Sequence, residues 1–221
     1  MDFELARFNM VEQQIRPWNV LDQDVLDLLF VVKREDFVPP AYRAMAFSDT
    51  EIPLRVDGTD SGESMLSPKI EARLMQALGV HKHEQVLEIG AGSGYMAALL
   101  AHRGRRVVTR EIQPALAAFA RANLERAGVR NASVEQCDGA RIADAGRFEV
   151  IVLSGAVQFV PDAFLQRLAV GGRLAAIVGE APLMSARIVT RAAEDAFASQ
   201  DLFETSAKPL VGFPTRDRFA F

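Results

Sequence analysis

The stretch Val86-Leu87-Glu88-Ile89-Gly90-Ala91-Gly92-Ser93-Gly94-Tyr95 decides the fold. Val86 to Ile89 is the end of a short apolar strand. Three glycines at alternate positions then turn the chain, and Tyr95 opens a helix. Glycines in such a turn let backbone N–H groups come close to a ligand at a helix N-terminus. Downstream, short apolar runs alternate with helical patterns. Strands are expected at 85–89, 106–112, 132–137, 148–153 and 173–178, and helices at 95–102, 114–127 and 161–168. Gly104 and Gly128 sit just past two of the helices, where a left-handed or open cap suits glycine. Strand–helix alternation predicts a parallel sheet covered on both faces.

The end of the chain breaks the alternation. Residues 186–192 and 198–204 read as two strands joined by a turn at Glu194-Asp195. So short a connection forces antiparallel pairing, because a parallel crossover needs about a dozen residues. The expected fold class is α/β: a Rossmann-like, doubly wound, mostly parallel sheet with a C-terminal antiparallel hairpin and an N-terminal helical extension, the arrangement of a class I methyltransferase.

Upstream of the glycine turn the pattern is helical and then polar. Leu21, Val25, Leu28, Leu29 and Val32 recur at helical spacing behind two possible caps, Asn19 and Asp22. Pro39-Pro40 is expected to end that segment. Residues 48–63 are polar and turn-rich, which reads as a surface loop. A new helix is expected at Ser67-Pro68, with Ser67 as its N-cap and Pro68 at the first helical position. Residues 1–80 are thus read as a helical arm with a substrate-side loop, and 81–221 as the ligand-binding α/β region, the two forming one compact unit.

Composition bounds the function. The 221 residues carry 25 basic and 29 acidic side chains, a net charge of −4, which argues against a general nucleic-acid binder. The longest apolar run, 95–101, is far short of the roughly 18 residues that suggest a membrane span. The first ten residues carry charges where a secretion signal needs an apolar core. The single cysteine, Cys137, allows no internal disulfide and no cysteine-based metal site. A soluble, cytoplasmic chain without a metal centre is expected.

Two carboxylates give the glycine turn its meaning. Glu111 closes the second strand, 111 − 90 = 21 residues after the first glycine, where an acid can accept hydrogen bonds from both ribose hydroxyls. Asp138 closes the third, where it can accept from the exocyclic amine of adenine. Together they outline an adenosine pocket. A dinucleotide fingerprint would need a small residue at position 95, where this chain has Tyr95, and no Gly-Lys-Ser/Thr phosphate loop is present. Glu88 would repel a pyrophosphate but suits the ammonium of a methionine moiety. S-adenosylmethionine, which carries no phosphate, is the expected cofactor.

The same residues, with others upstream, resemble the protein-L-isoaspartate O-methyltransferases. Met10-Val11-Glu12-Gln13-Gln14-Ile15 is similar to that family's N-terminal helix. Lys33-Arg34-Glu35-Asp36-Phe37-Val38-Pro39 is similar to its P-R-E-x-F-V-P stretch. Ala46-Phe47-Ser48-Asp49 and Ile52-Pro53-Leu54 resemble its A-Y-x-D and L-P-I segments, and Gly171-Gly172-Arg173-Leu174 matches the turn before its fifth strand. The resemblance implies S-adenosylmethionine as donor and, as partner, a protein or peptide bearing an abnormal aspartyl carboxylate. The candidate cofactor-binding set is Met65, Ser67, Glu88, Gly90, Gly92, Gly94, Glu111, Ile112, Asp138 and Gly139. One departure stands out. Aligned on Pro68, Leu66 occupies the position of the serine in the family's T-I-S-Q-P-Y stretch, and Cys137-Asp138 replaces its Gly-Asp pair.

The chemistry follows from the acceptor. A carboxylate is already ionised near neutral pH and needs no general base, so its methylation is mainly alignment and exclusion of water. An alcohol or amine acceptor would need a base. His81, His83 and His102 fall at the wrong edge of the sheet to serve. Asp49, Asp57, Asp60 and Glu63 are the acids on the polar loop, most of them read as solvated. No catalytic residue is assigned. The arginines at 103, 105 and 106 read as a solvated face, Cys137 as a packed side chain bordering the adenine pocket, and Phe213, Phe219 and Phe221 as an aromatic tail. Two alternatives stay open: a methyltransferase on this scaffold with another acceptor, and a catalytically silent S-adenosylmethionine binder.

Overall fold

The computed structural model describes residues 2–142 and 146–216. Phe219 and Phe221 of the aromatic tail lie outside the described residues. The arm starts with α1 (Phe3–Asn9), capped by the Asp2 carboxylate, which accepts from the N–H groups of Glu4 and Leu5. A wider helical turn over Met10–Ile15 follows, and then α2 (Gln23–Val31). Asp22 is the cap of α2, accepting from Asp24 N, while Asn19 takes a left-handed conformation outside it. Val25, Leu28, Leu29 and Val32 are buried as the spacing predicts, but Leu21 is 70% exposed because it precedes the helix. The two prolines do not end this helix. It stops at Val31, and Pro40 instead begins a tight helical segment over Pro40–Phe47.

Residues 48–63 are not simply a surface loop. They contain most of an antiparallel hairpin, β1 (Ile52–Val56) and β2 (Thr59–Met65), turned by Asp57-Gly58 with φ of 51° and 79°. Positive φ at both turn residues is what a two-residue hairpin turn of the favoured hand requires, and Asp-Gly is the sequence that supplies it. β2 runs directly into α3 (Pro68–Leu78), which ends on the left-handed Gly79.

The main sheet has seven strands in the order β5-β4-β3-β6-β7-β8-β9. These are β3 (Gln85–Ile89), β4 (Arg106–Glu111), β5 (Ala132–Gln136), β6 (Phe148–Val157), β7 (Leu168–Glu180), β8 (Leu183–Ala193) and β9 (Ala196–Glu204). The first five are parallel, joined through α4 (Tyr95–Arg103), α5 (Pro114–Arg126) and the short α6 (Asp162–Leu165). α6 covers only half of the 161–168 span, because β7 already begins at Leu168. β8 and β9 pair antiparallel, and β8 also pairs antiparallel with β7, so the hairpin belongs to a three-strand meander. The chain winds outward from β3 to β5, then returns to place β6 on the other side of β3. That reversal leaves a crevice at the carboxyl ends of β3 and β6, where ligands bind in sheets of this kind.

One apolar core joins the arm to the sheet. It includes Met10, Leu26, Phe37, Ile52, Leu66, Leu74, Tyr95, Leu99, Val150 and Ile177. A second cluster on the opposite face gathers Leu87, Ile89, Ile151, Leu153, Phe164 and Leu174. Among the described residues, no helix is long and apolar enough to cross a membrane.

Candidate cofactor site

Gly90, Gly92 and Gly94 all have positive φ, at 93°, 52° and 83°. Their roles differ. A Cβ on Gly94 would lie 3.2 Å from the Ala120 carbonyl oxygen and 3.3 Å from Leu124 Cγ, so this glycine lets α4 approach α5. Gly90 and Gly92 face the crevice, where added Cβ atoms would meet Leu210 at 3.1 Å and Leu54 at 3.3 Å. These two glycines form the cradle.

Glu111 closes β4 beside it and is 6% exposed. Its Oε2 accepts from Gly92 N at 2.9 Å and its Oε1 from Gln113 N at 3.0 Å. A cavity of ≈ 90 Å³ lies between Gly90, Gly92, Glu111, Ile112, Gly139 and the covering residues. Its cover comes from three places: Leu54 and Glu63 of the hairpin, Leu66 after it, and Lys208 to Val211 of the C-terminal segment. That segment is held by backbone bonds from Ala156 N to Lys208 O and from Leu210 N to Ala156 O, both 2.8 Å. The Lys208 ammonium also bonds the Gly62 carbonyl, tying tail to hairpin. The cavity is well below the roughly 300 Å³ of a typical small-molecule pocket. Seating a nucleoside here requires the covering side chains to give way.

Glu88 is fully buried. Its Oε1 accepts from Ser154 Oγ at 2.8 Å, and its Oε2 has no partner. Burial pushes this carboxyl up to about 8, outweighing the opposing pull of the Thr109 and Ser154 hydroxyls, with Glu71 and Glu111 adding like-charge repulsion. A small cavity of ≈ 30 Å³ beside it is lined by Met65, Leu66, Glu71, Glu88, Gly90, Gly92 and Ser154, among others. An orphaned carboxylate oxygen in a polar pocket beside a glycine cradle is the donor–acceptor set that S-adenosylmethionine needs: an acceptor for its ammonium, a second acid for its ribose, and no group built for phosphate.

The remaining expected residues are placed less directly. Met65 ends β2 and lines the small cavity. Ser67 is 6% exposed, and although its backbone has cap geometry, its hydroxyl makes no capping bond and has no partner at all. Asp138 accepts from Ala140 N at 3.1 Å, pairs with Arg141 at 3.2 Å and lies against Gly212, outside the lining of the cavity. Gly139 does line it, and a Cβ there would come within 2.5 Å of Ile89 Cγ2. Cys137 is half-buried and does not line the cavity. His81 and His83 stack on each other before β3, with ring centroids 5.9 Å apart, and neither they nor His102 enter the cofactor cavities.

Of the four acids expected on the polar loop, Glu63 alone reaches the larger cavity. Burial raises its carboxyl above the ordinary range, partly opposed by Lys208. Asp49 is paired with Lys69 at 2.7 Å, Asp57 forms the turn, and Asp60 accepts from Gly62 N. Glu71, Ser154, Leu54 and Leu210 belong to the site without having been expected there. Ser154-Gly155 interrupts an apolar strand near its carboxyl end, a usable signal, whereas nothing local marks Glu71.

Fold, glycine cradle and paired acids define a class I S-adenosylmethionine-dependent methyltransferase. The protein-L-isoaspartate(D-aspartate) O-methyltransferase (PCMT) family model matches residues 6–213, so the chain belongs to this family. It is 37% identical over 213 residues to a protein-L-isoaspartate O-methyltransferase of Syntrophotalea carbinolica, covering 96% of both chains. It is 35% identical over 211 residues to the corresponding protein of Koribacter versatilis, covering 95% of this chain and 92% of that one. The fold matches a Plasmodium falciparum structure described as a protein-L-isoaspartate O-methyltransferase in complex with S-adenosyl-L-homocysteine. That match has a TM-score of 0.78 and 17% identity, and covers 95% of this chain and 98% of the other.

Proposed function

We propose that this enzyme transfers the methyl group of S-adenosylmethionine to the carboxylate of an abnormal, isoaspartyl-type residue in a protein or peptide. The observation that carries the reading is the family match over residues 6–213, which takes in the arm and hairpin as well as the cofactor cradle. In this reading Gly90, Gly92, Gly139 and Ile112 shape the cofactor cavity, Glu111 takes the ribose, Glu88 takes the ammonium, and Asp138 takes the adenine once Gly212 yields. Residues 1–80 form the substrate-side arm. Bound S-adenosylmethionine supplies an activated methyl group. Leu54, Leu66 and Leu210 exclude water from the reacting centre, and the hairpin positions the acceptor. No side chain needs to remove a proton, because the acceptor is already ionised. The lone cysteine, which permits no internal disulfide, supports a cytoplasmic location.

The test is transfer of labelled methyl to an isoaspartyl peptide, with its normal aspartyl counterpart as control. Transfer to the first alone is expected; none to either, with the cofactor bound, would overturn the acceptor assignment. A second reading, methyl transfer to a different acceptor, is favoured by Leu66. It puts an apolar side chain, 9% exposed, into both cofactor cavities at the place of the family's serine. Glu63 then offers a half-buried acid of the kind that an alcohol or amine acceptor would need as base.

A further inference from the structure

Glu88 is not the only buried acid at the methionine end of the site. Glu71, on the first turn of α3, is 4% exposed and lines the same small cavity. The groups facing this pair come from every element around it. Arg34, fully buried before the arm's tight helix, pairs with Glu71 and also donates to Leu66 O at 2.8 Å. Tyr95 of α4 lies under the Arg34 guanidinium, 5.2 Å from it. Glu111 approaches from β4, Ser154 from β6, and Glu35 with Arg7 stands behind Tyr95. Burial pushes Glu71 up to about 7, the ion pair with Arg34 holding it back.

Arg34 and Glu71 pair as opposite charges, and Glu88 keeps its proton in the dry cavity, so these three side chains carry no net charge between them. A cation entering the cavity restores neutrality if Glu88 gives up its proton. Glu88 lines that cavity, and its buried Oε2 atom, which makes no hydrogen bond although the Thr109 hydroxyl acts on the carboxyl, is the acceptor still to be filled.

We propose that Glu71 is a second acid of the cofactor site, sharing the ligand's ammonium with Glu88 in their common cavity, so that binding of the aminoacyl end expels one proton to solvent. The inference deepens the reading above but rests only on its cofactor, not on its acceptor. A failure to methylate isoaspartyl peptides leaves it measurable.

The experiment is titration calorimetry of the whole protein near pH 7 in two buffers of different ionisation enthalpy. The ligands are S-adenosylhomocysteine and 5′-methylthioadenosine, which lacks the aminoacyl end. The first should release about one proton and the second none. Glu71→Gln should weaken S-adenosylhomocysteine roughly tenfold or more while leaving methylthioadenosine unchanged. A merely structural role for Glu71 would weaken both alike. Should Glu71→Gln fail to fold with Arg34 left facing an amide, the double variant R34Q/E71Q serves. Buffer-independent heats for S-adenosylhomocysteine with the unaltered protein, or equal losses for the two ligands in the variant, would overturn the proposal.

Discussion

The Glu111 carboxylate and the Gly92 backbone N–H are bonded at 2.9 Å, so the acid that ends β4 also holds the glycine turn that follows β3. An ionised carboxylate has about four acceptor sites. Those left after the bonds from Gly92 and Gln113 remain for two ribose hydroxyls. Glu111→Ala should therefore weaken S-adenosylhomocysteine at least tenfold, since a hydrogen bond to a charged group contributes about 1.5–3 kcal/mol. Calorimetry is the check, and unchanged affinity would remove Glu111 from the site.

Leu66 sits between hairpin and α3, its side chain in the cofactor cavities and its carbonyl held by Arg34. Replacing it by serine should raise kcat/KM for an isoaspartyl peptide if the acceptor site is that of the family. Cofactor affinity should stay within about threefold, and stability should fall by roughly 2–4 kcal/mol for the lost buried side chain. A stable, cofactor-binding Leu66→Ser enzyme with no gain on that peptide would favour the alternative acceptor.

Glu63→Gln separates the same two readings by another route. With a carboxylate acceptor the turnover rate should change little, because no proton is removed. With an alcohol or amine acceptor, loss of a general base should cost about 10²-fold or more in kcat.

Glu88 makes stability fall as pH rises. Its pKa in the folded chain, about 8, lies above the ordinary carboxylate value. The folded state therefore binds the extra proton between about pH 4.5 and 8, and the advantage is present below that window and lost on passing up through it. Glu71, raised to about 7, acts in the same direction over a narrower range. The melting temperature of the ligand-free protein should decline from pH 5.5 to 8.5, and Glu88→Gln should flatten the decline. Equal slopes for the two proteins would contradict the burial argument.

Gly94 carries a structural role distinct from its neighbours in the turn. With φ of 83° and a Cβ position 3.2 Å from the Ala120 carbonyl, Gly94→Ala should cost about 1–3 kcal/mol. The loss should appear in denaturant unfolding, as strained backbone and a wedge between α4 and α5.

Much of the site was readable in the chain because its signals are local. A glycine turn needs glycines where φ is positive, and an acid at a strand end needs only the strand to end there. Gly90, Gly92 and Glu111 were legible on those grounds. Asp57-Gly58 was an equally local signal for the hairpin, hidden by the polarity of the residues around it. Ser67-Pro68 marked the start of α3 correctly, with Ser67 in the cap position, but its hydroxyl caps nothing.

By itself, then, the sequence determined the alternating strands and helices, the glycine turn after β3, and the acids Glu88 and Glu111 at the ends of their strands. These follow from backbone geometry and hydrophobic period, which act over a few residues. Tertiary structure alone decided the rest. It brought Glu71 and Arg34 from the arm to Glu88, laid Leu210 and the hairpin over the cradle, and left one Glu88 oxygen without a partner. The bonds that hold these groups reach from 37 positions, Arg34 to Glu71, to 146 positions, Lys208 to Gly62, and they exist only where separate apolar faces are driven into one core and carry their polar groups with them.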